Sequence, residues 1–229
     1  MKLICLPYAG GSENTYYNWR NIIRPSIEVL PIELKGRGKR YNEEFYKDIM
    51  EAVDDIYNII ENKIKDSDYA IFGHSMGSIL AYELYYKIEE KKQKKPMHIF
   101  FSAHAAPGTK ENRENIHELP DNKFIESILR MGGTCEEVFQ NKELLNFFLP
   151  IIRNDIRLLE TYKYKEKRNK INCDISVING EEDDISLDEL LEWENHTCKK
   201  YKLHMVDGNH FFINHNTNSV IQIINNTLW

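Results

Sequence analysis

The sequence has no apolar run close to the roughly 20 residues that cross a bilayer. Its opening residues read as a strand rather than as a charged, apolar and small-residue leader. No membrane association is expected, and a cytoplasmic location is. Cysteine is scarce: Cys5, Cys135, Cys173 and Cys198 lie far apart, with no Cys-x-x-Cys pair and no metal-ligand spacing. That argues against a disulfide framework and gives no metal site, so buried free thiols in a reducing compartment are expected. An excess of positive charge is also missing. Lys and Arg total 30 against 36 Asp and Glu, a net charge of −6, so nucleic acid is not an expected partner. There is no internal repeat, no P-loop lysine and no dinucleotide-binding glycine spacing.

What remains is an ordinary globular balance, 41% hydrophobic and 29% charged, in 229 residues. That length suits one α/β domain, residues 1–229, with a sizeable core. Strand-like runs occur at Lys2–Pro7, Ile27–Leu34, Tyr69–Gly73, Met97–Ala103, Asp174–Asn179 and Lys202–Val206. Several are continuously apolar, as in parallel strands covered on both faces. Helical patterns at about 44–64, 76–92, 186–199 and 216–228 alternate with them, predicting a mostly parallel, doubly wound sheet. One stretch of about 105–172 carries helical patterns only, at Asp121–Arg130, Glu136–Gln140 and Leu144–Leu159. Inserted after the fourth strand, it is expected to form a helical lid over the carboxyl edge of the sheet.

The most informative segment is Gly73-His74-Ser75-Met76-Gly77. The Gly-x-Ser-x-Gly pattern is weak alone, but here it lies between an apolar strand and an amphipathic helix, the setting of a nucleophile elbow. A serine hydroxyl needs a base, and of eight histidines His210, in Asp207-Gly-Asn-His-Phe-Phe, follows the last strand and precedes the last helix. An acid to orient it is expected after the preceding strand, in Gly180-Glu-Glu-Asp-Asp184. Asp183 is favoured, with Asp184 next, and the other acids fit a solvated turn. Two backbone N–H groups must meet the oxyanion. One is expected from Met76 and the other from Tyr8 or Ala9, in the loop Leu6–Ser12 that Gly10 and Gly11 allow to turn inward.

At this point the chain resembles, nearly end to end, the type II thioesterases, the stand-alone editing thioesterases of non-ribosomal peptide and polyketide synthesis. The resemblance runs through Leu6–Ser12 and Gly36-Arg37-Gly38-Lys39-Arg40, where Lys35 replaces the family's usual proline. It continues in Gly73–Gly77, Leu119-Pro120-Asp121 and Gly132-Gly133-Thr134, where Cys135 replaces another. Glu143–Pro150, Arg153-Asn154-Asp155, Glu160-Thr161-Tyr162, Gly180–Asp183 and Gly208–Phe212 complete it. The resemblance implies an α/β-hydrolase fold with a Ser-His-Asp triad that hydrolyses aberrant or stalled acyl groups from the phosphopantetheine arm of carrier proteins. It implies no cofactor, since the substrate carries the phosphopantetheine, and the enzyme is expected to be a monomer. Met131, Phe139 and Phe148 are candidate lid contacts to substrate. Arg37, Lys39, Arg40 and the basic run 162–170 are candidates to meet an acidic carrier, against ordinary surface charge. A serine esterase or amidase acting on a small free substrate shares the same triad and stays open as the alternative.

Overall fold

The computed structural model describes residues 1–109, 115–132 and 141–228. Six strands, β1 (Lys2–Leu6), β2 (Glu28–Pro31), β3 (Tyr69–His74), β4 (His98–Ser102), β5 (Asp174–Gly180) and β6 (Tyr201–Val206), form one sheet in the order β2-β1-β3-β4-β5-β6. Every pairing is parallel. Among the described residues the α-helices are α1 (Ile49–Ile64), α2 (Met76–Glu90), α3 (Asp121–Met131), α4 (Lys142–Thr161), α5 (Leu187–Leu191), α6 (Phe212–His215) and α7 (Thr217–Thr227).

The period-2 alternation of the strands sorts side chains to two cores. Along β1, Ile4 and Leu6 face a cluster with Ile71, Val53, Ile56 and Leu80, under α1 and α2. Leu3 and Cys5 face the other side, with Phe72, Trp19 and the α7 residues Val220, Ile221 and Ile224. A third small cluster, Ile116, Phe124, Ile128 and Ile152, belongs to the insertion between β4 and β5. There Arg153 binds the main-chain oxygens of His117 and Leu119 at 2.6 and 2.8 Å, and Glu160 accepts the N–H groups of Ile116 and His117.

Element ends differ from the sequence reading where local chemistry intervenes. The first helix starts at Ile49, not 44, because the Asp48 side chain caps it by accepting the Glu51 N–H at 2.8 Å. The stretch 186–199 splits into α5 and a 3₁₀ turn, Glu192–His196. Edge strand β2 is only four residues long and ends at Pro31, a residue that edge strands accept. The expected helix at 136–140 lies outside the described residues.

The chain leaves β1 toward β2 on one side and places β3 on the other. The carboxyl ends of β1 and β3 therefore flank a switch point, the place where open α/β sheets leave a crevice for ligands. The Tyr8–Ser12 loop and Ser75 both sit there.

Candidate active site

Between β3 and α2 the chain makes a one-residue turn. Ser75 has φ 53° and ψ −115°, and its N–H donates to Ser102 O at 2.7 Å. A non-glycine residue at positive φ is strained and must be held by its surroundings. Both flanking glycines are required by space. A Cβ at Gly73 would lie 2.0 Å from Gly77 O, and one at Gly77 would lie 2.2 Å from Leu6 O. The sharp turn leaves the Ser75 hydroxyl at the amino end of α2, where free N–H groups and the helix dipole favour negative charge.

The loop after β6 brings His210 to this hydroxyl, with Nε2 3.0 Å from Ser75 Oγ. Its other nitrogen, Nδ1, is 2.9 Å from Asp183 Oδ2. A carboxylate only accepts, so Nδ1 carries a proton toward Asp183 and Nε2 is the nitrogen turned to the serine hydroxyl. The Asp183 side chain is 5% exposed, while Asp184 next to it is exposed. The acid and histidine loops are fastened together: Glu181 N–H donates to Val206 O at 2.8 Å, and Glu182 N–H to Gly208 O at 3.1 Å. A Cβ at Gly180 would lie 2.3 Å from Gly208 O, so only glycine permits this approach.

Two groups that sequence reasoning did not single out for the site complete it. His74, fully buried, has Nε2 3.0 Å from the His210 carbonyl oxygen and Nδ1 2.8 Å from Ser102 Oγ. Burial and then the nearby His210 ring push its pKa well below the usual value, so it is neutral. Nε2–H then donates to the carbonyl, and Nδ1 accepts from the Ser102 hydroxyl. Asp155, on α4, accepts the Gly10 N–H at 2.7 Å. Both lie in motifs that carry the resemblance, Gly73–Gly77 and Arg153-Asn154-Asp155, but neither motif by itself says what these side chains will touch.

Met76 is the first residue of α2, and Tyr8 and Ala9 lie in the loop after β1. Tyr8 packs edge-on against the rings of His74 and Phe211, at 5.8 and 5.2 Å between centroids. Of the expected lid contacts, Met131 ends α3 and is 47% exposed, whereas Phe148 packs partly buried on the insertion's own cluster. Phe139 lies outside the described residues. The insertion approaches the site at two points. A Cβ at Gly132 would lie 3.8 Å from Asn209, and one at Gly10 2.7 Å from Ile152.

Three expectations are corrected. Arg37 is not on the surface: it is 2% exposed and forked onto Asp155. Arg40 is taken up by Glu43 and Asp55. Cys198 is exposed, although Cys5 and Cys173 are buried thiols; Cys135 lies outside the described residues. A surface hollow of about 570 Å³ between Tyr82, Tyr164, Lys167 and His196 contains none of the groups around Ser75. That hollow is therefore not where Ser75, His210 and Asp183 meet. Among the described residues no helix is long and apolar enough to cross a membrane.

The sequence profile of the thioesterase domain matches residues 1–228. The chain belongs to the thioesterase family. Its fold is that of the α/β hydrolases, and the structure of ClbQ from the colibactin NRPS/PKS pathway superposes with a TM-score of 0.95, at 38% identity over 99% of this thioesterase and 96% of that chain. The type II thioesterase BorB from the borrelidin biosynthetic cluster gives a TM-score of 0.90 and 31% identity, over 100% and 92%. Linear gramicidin dehydrogenase LgrE of Brevibacillus parabrevis is 32% identical over 99% of this chain and 87% of its own length. The thioesterase described here lacks the Gly-x-Gly-x-x-Gly fingerprint that a nicotinamide dinucleotide would call for.

Proposed function

We propose that this thioesterase is a single α/β-hydrolase domain that clears aberrant or stalled acyl groups from the phosphopantetheine arm of carrier proteins in non-ribosomal peptide or polyketide assembly. The observation that carries the reading is the Ser75–His210–Asp183 hydrogen-bonded chain at the mouth of α2. Similarity along the whole chain to ClbQ and to the type II thioesterase BorB supports the carrier-bound substrate.

In this reading Ser75 Oγ attacks the thioester carbonyl and its proton passes to His210 Nε2. Asp183 holds the ring and stabilises the imidazolium. The oxyanion is held by the N–H of Met76 and that of Ala9 or Tyr8. Collapse breaks the carbon–sulfur bond, and His210 returns the proton to the departing pantetheine sulfur. Water, deprotonated by the same nitrogen, then releases the acid and restores Ser75. No cofactor is needed, because the phosphopantetheine arrives with the substrate. The 105–172 insertion acts as a lid, and the enzyme works as a cytoplasmic monomer. The buried thiols Cys5 and Cys173 suit a reducing compartment.

An editing enzyme accepts many acyl groups, so its constant handle is the arm and the carrier. With Arg37 and Arg40 engaged internally, Lys39, whose side chain stays 78% exposed beside Glu13, and the exposed Lys163, Lys165, Arg168 and Lys170 are the remaining candidates to steer an acidic carrier. Steady-state kinetics on one acyl group presented on carrier protein, on coenzyme A and on a short thiol test this. The expected result is a higher kcat/KM on the carrier and a preference that weakens as salt screens the charges. Equal turnover of all three would leave only a general serine hydrolase acting on small esters.

A further inference from the structure

Arg37 and Asp155 take no part in these proton transfers, yet they form a buried ion pair beside the site. Arg37 is 2% exposed, in the loop after β2; Asp155 is 0% exposed, on α4. The guanidinium meets the carboxylate as a fork, Nη1 to Oδ2 at 2.6 Å and Nη2 to Oδ1 at 2.7 Å. The pair also grips the main chain of the β1 loop at two points. Asp155 Oδ2 accepts the Gly10 N–H at 2.7 Å, and Arg37 Nη1 donates to Gly11 O at 3.0 Å. Gly10, at φ +80°, lies flat on the α4 face made by Ile152 and Asp155, where no Cβ would fit. One ion pair thus fixes both ends of the Gly10–Gly11 unit, directly after Tyr8 and Ala9.

Two buried charges are a costly way to hold a fold together, since well-packed apolar side chains often serve as well. Their value here is directional: a fork and a charge-assisted N–H bond fix a backbone position as apolar contacts do not. We propose that Arg37 and Asp155 are a positioning pair for the oxyanion hole. They set the Tyr8–Gly11 main chain where its N–H meets the tetrahedral intermediate, and because Asp155 rides on α4, that geometry exists only while the insertion is seated. The inference rests on the reading of Ser75 as nucleophile and of Tyr8 or Ala9 as oxyanion donor.

The test uses the full-length double variant Arg37→Met/Asp155→Leu, which removes both charges of the pair together, and Arg37→Lys, which keeps the charge but loses the fork. Native folding is checked by near-UV circular dichroism. Kinetics on an acetyl thioester are paired with the affinity for an acetyl-mimicking trifluoromethyl ketone, which forms a tetrahedral adduct on serine. The double variant should lose about 10²-fold in kcat with KM unchanged, and its affinity for the ketone should fall in parallel. Arg37→Lys should lose about tenfold by the same pattern. A folded double variant with wild-type kcat overturns the proposal, as does a loss confined to KM with ketone affinity intact. If the double variant does not fold, Arg37→Lys decides on the same readouts. Ser75→Ala separates the two readings: its full activity would remove the nucleophile assignment itself. Inactive Ser75→Ala beside fully active Arg37 variants would remove only the positioning role.

Discussion

The His74 imidazole donates from Nε2 to the main-chain oxygen of His210, at 3.0 Å, while its Nδ1 rests on Ser102 Oγ at 2.8 Å. The residue before Ser75 thus ties the histidine loop to strand β4. Replacing it with alanine frees the His210 backbone, and small displacements of a catalytic group are expensive. His74→Ala should therefore lose about 10- to 10²-fold in kcat, whereas His74→Gln, which can still donate to that oxygen, should recover part of the loss. Steady-state kinetics on an acetyl thioester check this; equal activity in both variants and the wild type would remove the tie.

The four acids after β5 separate by geometry. Asp183 faces His210 and is nearly buried, and Asp184 points to solvent. Asp183→Asn should lose on the order of 10²–10⁴ in kcat, and Asp184→Asn should stay near wild type. Exchanged phenotypes would assign the orienting acid to Asp184.

Acid should destabilise the fold partly through His98. Burial, opposed by Asp174 and aided by His204, lowers its pKa to about 4. The folded protein then refuses a proton that the unfolded chain accepts below about pH 6.5. Stability contributed by the neutral ring is therefore intact above pH 6.5 and lost as pH falls toward 4, amounting to about 2 kcal/mol at pH 5. His98→Gln, which keeps a partner for Ser176, should flatten the pH dependence of urea unfolding between pH 7.5 and 5. An unchanged slope would show that His98 is not a source of the acid sensitivity.

What could be read from the sequence follows from how local each signal is. The parallel sheet was legible because buried strands such as Tyr69–Phe72 and Ile99–Phe101 are continuous apolar runs between helical patterns. Ser75, Asp183 and His210 stood out because each sits in a short loop directly after a strand, so chain order alone carried them to one sheet edge. Arg37 was misread as a surface cation because its partner is 118 residues away. Nothing within reach of its own segment signals that Asp155 will bury it. The role of His74 is hidden in the same way, since its partners come from β4 and from the loop after β6. Long-range polar pairs have no period and no fixed spacing, and they become visible only once the elements are packed.

The central claim is that Ser75 is the nucleophile of thioester hydrolysis. Peptide mass spectrometry after treatment with a fluorophosphonate, which bonds to activated serine oxygens, tests it most directly. The account predicts a single adduct on Ser75, its loss in Ser75→Ala, and a parallel loss of acyl-carrier hydrolysis in that variant. An adduct on another residue, or hydrolysis that persists in Ser75→Ala, would contradict it.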